Sequence, residues 1–268
     1  IGSNAQFNNP TGISFSSDNS FVLIADYYNH QIRQIIMSTQ QVSLFAGSSS
    51  STSGTANGVG SNALFNKPTG VDISSDSSYC LIADQNNHQI RKIIISTQQV
   101  SVFAGQTTSG TTNGIGSNAQ FNKPTAIVIS PDQSFVLVCE TGNHQVRKII
   151  LSTLQVSLLA GSTSTGSTNG IGSNALFNFP LGIAISPDGS YALVGDYSNN
   201  QIRQIILSTA QVSVFAGSSQ GNVDGIGTNV LFNGPAGVTI SLDGSFALVS
   251  DRNNNEIRKI QILTPPTS

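Results

Sequence analysis

Charged side chains are scarce in this sequence. Asp, Glu, Lys and Arg make up 9% of its 268 residues, and the formal net charge at pH 7 is −2. Globular domains usually carry about a quarter of their residues as charges, so Ser, Thr, Asn, Gln and Gly must form most of the solvated surface. A chain without an excess of basic residues lacks the positive electrostatic potential that attracts nucleic acid. We therefore expect no nucleic-acid partner.

Long apolar runs and paired cysteines are missing as well. No stretch approaches the roughly 18 apolar residues that a membrane-spanning helix needs, so direct membrane insertion is not expected. The chain has 2 cysteines, and Cys80 and Cys139 fall at positions of the repeat that lie three residues apart, on opposite faces of a strand. They are predicted to be small buried hydrophobic residues rather than a disulfide.

What the sequence has instead is a fivefold internal repeat. The frame F-N-x-P-x-G, an apolar run ending in an acid, N-x-Q-I-R and Q-V-S-x-F-A-G recurs, and its prolines are spaced by 58, 56, 56 and 55 residues. Units of this length must stack on copies of themselves to bury their apolar faces. The units are approximately residues 1–57, 58–113, 114–169, 170–225 and 226–263. Their marker prolines are Pro10, Pro68, Pro124, Pro180 and Pro235.

Four strand-like segments recur within each unit. In the first unit Ile13 and Phe15 alternate with small residues, residues 21–25 form an apolar run, and two further segments cover residues 31–36 and 42–46. Turn residues such as Pro187-Asp188-Gly189 separate such segments, and no helical period is sustained. Four short antiparallel strands are typical of one β-propeller blade. The predicted fold is therefore an all-β propeller with five repeats.

The fourth unit resembles an NHL repeat. The resemblance is carried by residues 178–183, 186–190, 194–196, 199–203 and 212–217, and His30, His88 and His144 supply the N-H of the pattern in the first three units. It extends over all five units and implies an NHL-type β-propeller, a family that usually closes with six blades. The resemblance also implies surfaces that bind protein, glycan or RNA partners. It leaves open whether five units form a ring or part of a larger one.

The fifth unit departs from the frame at its end. A fourth strand should follow Ile262, but Pro265 and Pro266 lie there instead, and proline cannot donate to a sheet ladder. We expect the last blade to lack its outer strand within this chain, residues 1–263 to form one propeller, and residues 264–268 to be a tail or the start of a linker. Our hypothesis is that residues upstream of Ile1 supply the strand; donation by a neighbouring molecule is the alternative.

One acid per unit ends the second predicted strand. Carboxylates that converge on a propeller axis would hold Ca²⁺, as in propeller lactonases and lyases. Alternatively, each acid accepts hydrogen bonds from its own turn and pairs with the arginine of its unit, so that no cofactor is needed. One pair in every repeat is typical of a structural device, and we favour this interpretation. The acids are Asp26, Asp84, Glu140, Asp196 and Asp251, and the arginines are Arg33, Arg91, Arg147, Arg203 and Arg258.

The turns that follow these acids share one face of the predicted blades with the Ser/Thr-rich links between units, and this face is the predicted interaction surface. Its histidines are expected to bond the local backbone rather than zinc. Asp224, the one acidic variant of the N-G-x-G motif, is predicted to be a turn residue. The binding candidates are Tyr27, Tyr28, His30, His88, His144 and Tyr197, and the candidates for O-linked glycan on the links are Ser50, Thr52, Thr108, Thr163 and Thr165.

No arrangement typical of a nucleophilic site occurs in the sequence: there is no G-x-S-x-G turn and no cysteine in a basic setting. The sequence therefore favours a noncatalytic interaction or structural module of an extracellular or cell-surface protein, within a larger fibre or coat assembly. Its expected partners are a protein, a glycan, or other copies or domains of that assembly. The alternative is a Ca²⁺-dependent enzyme of the lactonase or lyase type, and enzymatic activity stays open.

Overall fold

The computed structural model describes residues 2–262, and these residues form five antiparallel sheets, one for each sequence repeat. The predicted all-β propeller arrangement is confirmed. The first strands of the five blades are β1 (Pro10–Phe15), β6 (Pro68–Ile73), β11 (Pro124–Ile129), β16 (Pro180–Ile185) and β20 (Pro235–Ile240). The second strands are β2 (Phe21–Asp26), β7 (Tyr79–Asp84), β12 (Phe135–Glu140), β17 (Tyr191–Asp196) and β21 (Phe246–Asp251).

The outer strands follow the same order. The third strands are β3 (Gln31–Ile36), β8 (Gln89–Ile94), β13 (Gln145–Ile150), β18 (Gln201–Ile206) and β22 (Glu256–Gln261). The fourth strands are β4 (Gln41–Ala46), β9 (Gln99–Ala104), β14 (Gln155–Gly161) and β19 (Gln211–Ala216). Short 3-10 turns occupy Gly2–Asn4, Tyr27–Asn29, Gly60–Asn62, Gln85–Asn87, Gly116–Asn118, Gly172–Asn174, Tyr197–Asn199, Gly227–Asn229 and Arg252–Asn254. No helix among residues 2–262 is long and apolar enough to cross a membrane.

The second, third and fourth blades each contain a short fifth strand that the sequence pattern did not predict. These two-residue strands are β5 (Gly58–Val59), β10 (Gly114–Ile115) and β15 (Gly170–Ile171), and they pair with the fourth strand of their own blade. The N-G-x-G motif that contains them was interpreted as a turn. Two residues are too short to show the alternating pattern by which strands are recognised.

The chain divides into two compact units. The first contains residues 1–129, 133–138 and 149–157, and the second contains residues 130–132, 139–148 and 158–268. The apolar core of the first includes Leu23, Phe65 and Cys80, and that of the second includes Leu193 and Phe232. Leu23, Cys80 and Leu193 lie in second strands that are buried on both faces, and Phe65 and Phe232 lie just before the first strands. Together these side chains exclude water. Cys80 and Cys139 are both buried and do not form a disulfide, as predicted.

The fifth blade has three strands, in the order β20-β21-β22. Within residues 2–262 no strand pairs with the outer edge of β22, which agrees with the expected lack of an outer strand. The predicted tail at residues 264–268 and the domain boundary after residue 263 lie outside the described residues. These two boundaries therefore remain predictions.

Candidate functional site

An acid and an arginine meet at the same position in every blade. The strand register explains this contact. In the second blade Ile82 lies opposite Arg91 on the neighbouring strand, and Asp84 lies two residues beyond Ile82 on the same face of its strand. Asp84 and Arg91 are therefore diagonal neighbours across the two strands. The predicted pairing is confirmed in all five repeats. The nitrogen–oxygen distances are 3.2 Å for Arg33–Asp26, 3.0 Å for Arg91–Asp84, 2.8 Å for Arg147–Glu140, 3.1 Å for Arg203–Asp196 and 3.1 Å for Arg258–Asp251.

Each of these acids accepts several hydrogen bonds. Asp84 accepts one from the backbone N–H of Asn66 at 2.7 Å, one from the side-chain amide of Asn87 at 2.7 Å, and one from Arg91. Asp196 of the fourth unit has the equivalent set of donors, each 112 residues further along the chain than in the second unit. Both carboxyl groups are buried. A Ca²⁺ site is built from oxygen ligands, and nitrogen donors face these carboxylate oxygens instead.

The arginine connects its acid to the link that precedes the blade. Arg91 donates to the carbonyl oxygens of Leu64 and Ala56 and to Oδ1 of Asn57, at 3.0, 3.1 and 2.7 Å. Its guanidinium also lies 5.4 Å from the centroid of the Phe65 ring, a distance at which the cation is attracted to the aromatic face. Nη1 and Nη2 of Arg91 thus join the acid, the arginine and the link in one structural connection, whereas its buried Nε has no hydrogen-bond partner among residues 2–262.

Burial sets the protonation of these acids. Desolvation raises the pKa of Asp84 and Asp196 to about 6, while backbone, asparagine and arginine donors oppose the rise. Both acids are therefore mostly ionised at pH 7 and form true ion pairs. Among residues 2–262 no group of three or more His, Cys, Asp or Glu side chains lies close enough together to hold a metal ion.

The predicted histidines lie in turns, but they do not bond the local backbone as expected. The imidazole Nδ1 of His30 accepts a hydrogen bond from the backbone N–H of Lys67, in the next repeat, at 2.9 Å. His88 accepts one from Lys123, and His144 accepts one from Phe179. We call these bonds the inter-repeat clasps. The expectation of a local bond was wrong because the acceptor atom points across to the start of the following blade.

Backbone conformation positions the clasps. His30 and Lys67 both have a positive φ, of 56° each, so the turn residue and its partner both adopt the left-handed conformation. In the fourth repeat Asn200, also left-handed, accepts the same bond from Gly234 through Oδ1 at 3.0 Å. Asparagine tolerates this conformation well. The clasp therefore depends on a side-chain acceptor rather than on histidine itself.

The clasp requires a neutral imidazole, because a protonated Nδ1 is a donor. Burial lowers the pKa of His30, His88 and His144, and the charges of Lys67 and Lys123 lower the pKa of the first two further. The histidines are thus kept in the form that accepts the backbone N–H.

Two aromatic side chains are exposed beside the clasps. Tyr28 is 49% exposed, and its ring meets that of Tyr27 edge to face at 4.8 Å. The ammonium nitrogen of Lys67 lies 5.5 Å and 5.3 Å from the two ring centroids. Phe179, which the sequence analysis missed, is 45% exposed and packs edge to face on His144. Each exposed ring belongs to a patch at the strand-end face, and the two patches lie in different compact units.

The other candidates lie on the same strand ends. The hydroxyl of Tyr27 donates to Gln85 at 3.0 Å, and that of Tyr197 donates to Asn253 at 3.2 Å, so both link neighbouring repeats. Asp224, predicted as a turn residue, lies in an irregular part of the link before the 3-10 turn Gly227–Asn229 and binds Arg258. All five candidate O-glycan residues are exposed on the links, namely Ser50, Thr52, Thr108, Thr163 and Thr165.

One acid outside the repeat frame was missed. Asp72 lies in β6, where the other units have Ser14, Val128, Ala184 and Thr239. Its carboxylate accepts hydrogen bonds from the backbone N–H of Ile129 at 2.7 Å and from the hydroxyl of Ser14 at 3.1 Å. It therefore links the first strands of three consecutive repeats. Desolvation raises its pKa to about 6. The sequence contained one signal for Asp72: it is an acid at a repeat position where the other four units have uncharged residues.

Comparison with known proteins supports the resemblance found in the repeats. Residues 2–264 match the family model described as Lactonase, 7-bladed beta-propeller. Protein SUPPRESSOR OF QUENCHING 1, chloroplastic, of Arabidopsis thaliana is 28% identical over 269 residues, which are 96% of this chain and 25% of that protein. NHL repeat-containing protein 2 of Homo sapiens is 26% identical over 277 residues, which are 92% and 37% of the two chains. The chain thus spans between a quarter and two fifths of these relatives, and the NHL resemblance is confirmed.

Solved structures show the same fold. An auxiliary nutrient binding protein from Bacteroides thetaiotaomicron superposes with a TM-score of 0.75 at 14% identity, over 95% of this chain and 59% of the other. A nidogen/laminin complex contains a chain with a TM-score of 0.68 at 12% identity, over 95% of this chain and 76% of the other. At these identities the similarity establishes the fold alone.

Proposed function

The chain belongs to the Lactonase, 7-bladed beta-propeller family, and we propose, from the residues at its strand ends, that it is a noncatalytic interaction module of an extracellular or cell-surface protein. Family membership defines a fold and its repeats, whereas chemistry depends on the residues at a site. The residues at the strand ends of this chain support binding better than they support catalysis.

The observation that carries the proposal is the engagement of the recurring acids. The metal-dependent alternative requires carboxylate oxygens that are available to Ca²⁺. Asp84 and Asp196 each accept hydrogen bonds from a backbone N–H, an asparagine and an arginine. Releasing one of these carboxylates for a metal would leave its arginine buried without its partner, at a cost of several kcal/mol. These acids therefore do not fit a calcium site.

The partner is a protein or a glycan that contacts the patch around Tyr28. Tyr28 presents a half-exposed ring there, and aromatic side chains contribute large contact areas at little entropic cost. Lys67 adds a positive charge beside Tyr28. Phe179 forms a separate half-exposed patch in the other compact unit. Among structural neighbours, one is an auxiliary nutrient binding protein and another is a chain of a nidogen/laminin complex. Both descriptions are consistent with a binding role for this fold.

An extracellular setting and O-linked glycan on the links belong to the same proposal. The surface is neutral and polar, with 9% charged residues, and the Ser/Thr-rich links are exposed. Other domains or copies of a larger fibre or coat assembly are further partners under this proposal. Mass spectrometry of the protein from its native source tests it, because hexose on Thr52 or Thr163 would place the chain on a secretory route.

The test has a catalytic arm and a binding arm. We expect no lactone hydrolysis above background with either CaCl₂ or EDTA, and the same melting temperature in both. A glycan array probed with the labelled chain is expected to show binding that Tyr28→Ala reduces by about tenfold. The control is Met37→Ala, an exposed apolar residue at the opposite strand ends of the same blade. Calcium-dependent lactone turnover that disappears in Asp84→Asn would instead identify an enzyme.

A further inference from the structure

The N-G-x-G motif places an asparagine directly before a glycine at the start of the second, third and fourth blades. Asn57, Asn113 and Asn169 are exposed, and the glycine that follows each of them begins a two-residue strand. An asparagine followed by glycine can cyclise, because glycine has no side chain to hinder the approach of its backbone nitrogen to the asparagine carboxamide. The motif is therefore a candidate site of covalent change.

An arginine holds the side-chain oxygen of this asparagine in two of the blades. Nη2 of Arg91 donates to Oδ1 of Asn57 at 2.7 Å, and Nη2 of Arg203 donates to Oδ1 of Asn169 at 2.7 Å. A cationic donor on a carboxamide oxygen stabilises the negative charge that this oxygen acquires when a nucleophile adds to the carboxamide carbon. The arginine thus activates the carboxamide as well as anchoring it.

The same arginines each have one unpaired donor. Nε of Arg91 and Nε of Arg203 are buried, and neither has a hydrogen-bond partner within the described part of the chain. A buried donor without an acceptor costs free energy. A carboxylate in place of the carboxamide would accept charge-assisted bonds, which are stronger than bonds to an amide. The arginines are therefore better suited to an aspartate at this position than to the asparagine.

The fifth unit shows that the repeat accommodates an aspartate here. Asp224 precedes Gly225 at the position where the other units have Asn–Gly. Arg258 donates to Oδ1 of Asp224 from Nε at 3.1 Å and also from Nη2, so the Nε that is unpaired in the second and fourth units has an acceptor in the fifth. Arg258 keeps its bond to Asp251 at 3.1 Å. One arginine can therefore bind both acids at once.

We propose that Asn57 and Asn169 are sites of spontaneous deamidation to aspartate, promoted by Arg91 and Arg203. At Asn57 the backbone nitrogen of Gly58 gives its proton to a solvent base and attacks Cγ. The N–Cγ bond forms, the Cγ–Nδ2 bond breaks, and ammonia leaves with a proton taken from water. Water then opens the resulting succinimide, its OH adding to a ring carbonyl carbon and its proton returning to the nitrogen. Opening at Cγ gives aspartate, and opening at the main-chain carbonyl carbon gives isoaspartate.

The arginine also directs the second step. Because Arg91 bonds Oδ1, it activates Cγ rather than the main-chain carbonyl carbon, and so it favours aspartate. Isoaspartate would insert an additional backbone atom directly before β5, in which Gly58 pairs with Val100. A strand of two residues can open locally, which frees the nitrogen of Gly58 for attack, and can pair again when the product is aspartate.

Peptide mass spectrometry of the full 268-residue chain, incubated at mildly alkaline pH, tests the proposal. We expect the peptides that contain Asn57 and Asn169 to acquire the mass of an acid in place of an amide. Their ratio of aspartate to isoaspartate should exceed that of synthetic peptides of the same sequence by about tenfold. The matched control is Asn233, which also precedes a glycine but accepts its hydrogen bond from Asn253. It should give the product ratio of its own synthetic peptide.

The variant Asp224→Asn transfers the reaction to the fifth unit. We expect this variant to regenerate aspartate with the same excess over isoaspartate, and to lose that excess when Arg258→Leu is added. Circular dichroism verifies that both variants are folded, and the product ratios at Asn57 and Asn169 require no variant. Absence of deamidation at these two asparagines, or the isoaspartate content of the free peptides, would overturn the proposal. Neither readout involves partner binding or lactone hydrolysis, so the proposed function is tested separately.

Discussion

The fourth and fifth repeats carry nearly the same pattern but differ in how completely their side chains are buried. Both form second strands that end in an acid, Tyr191–Asp196 and Phe246–Asp251, and both have third strands of six residues. Leu193 is fully buried, whereas its equivalent Leu248 is exposed. Leu248 lies in β21, between its neighbours β20 and β22, so a missing strand does not explain its exposure. Leu193 instead packs in a cluster with residues of the fifth repeat such as Val249. Local sequence thus determines the strands of a blade, and packing against the following repeat determines whether their apolar side chains become core.

The shared features of the two repeats are those that form within one blade. The acid–arginine distance is 3.1 Å in both. The turn between the first two strands is also the same, with Ser186 donating to Asp188 and Ser241 donating to Asp243, both at 2.6 Å. These bonds join residues close in sequence or on adjacent strands, so they do not require a completed sheet. The following predictions test this division, from the largest expected effect to the smallest.

Removal of the arginine should give the largest difference in stability loss between the two repeats. Arg203→Leu leaves Asp196 buried without its cation, which should lower the free energy of unfolding by about 3–5 kcal/mol. Arg258→Leu should cost at least about 1 kcal/mol less, because Arg258 is 8% exposed while Arg203 is fully buried, so that water can replace part of the hydrogen bonding that Asp251 loses. Urea denaturation followed by circular dichroism measures both values. Equal losses would mean that water does not reach Asp251 in the variant.

Truncation of the equivalent isoleucines sharpens the comparison. Ile202→Ala creates a cavity under β19 and should cost about 2–5 kcal/mol. Ile257→Ala removes a side chain that is already largely in water and should change stability by less than about 0.5 kcal/mol. The same urea experiment applies. A large loss for the second variant would contradict the exposure of Ile257 in solution.

The inter-repeat clasps predict that stability depends on pH where the acceptor is histidine and not where it is asparagine. Because the folded-state pKa of His30, His88 and His144 is lowered, the unfolded chain binds more protons than the folded chain once the pH falls through about 6.5. Their contribution to stability is complete above that pH and decreases as the pH falls towards the lower folded-state values.

The matched variant for this prediction replaces all three histidines with asparagine, the residue that makes the clasp in the fourth repeat. Stability measured between pH 7.5 and 5.5 should fall less steeply in the variant. Asp84 and Asp196 act in the opposite direction, because a raised pKa makes the folded chain bind more protons between about pH 6 and 3.8. Both acids are present in parent and variant, so the difference between the two curves isolates the histidines.

The smallest effect is expected where the two repeats do not differ. Hydrogen bonds from Ser186 and Ser190 lower the pKa of Asp188, and those from Ser241 and Ser245 lower the pKa of Asp243 to about 2. Asp188→Ala and Asp243→Ala should therefore lower the melting temperature slightly and by the same amount, because both turns are solvated and local. A clearly larger shift in one variant would show that the fifth blade alters its turns as well as its edge.

The sequence by itself determined the features that repeat. The spacing of the prolines, the alternating apolar residues and the single acid and arginine of each unit predicted five antiparallel sheets and five ion pairs. Cys80 and Cys139 were placed in the core by their positions in the frame. These predictions succeeded because they depend on strand periodicity and on partners a few residues apart, which the sequence states directly.

Only the tertiary structure decided the features that join one repeat to the next. It placed the acceptor of His30 against the backbone of Lys67, brought Asp72 to Ser14 and Ile129, and left Ile257 exposed while Ile202 is buried. The hydrogen bonds link residues that are more than 30 positions apart, and the burial of Ile202 depends on the fifth repeat, which packs against it. Hydrogen bonding and burial at such positions are set by packing between blades, which a repeating pattern does not specify.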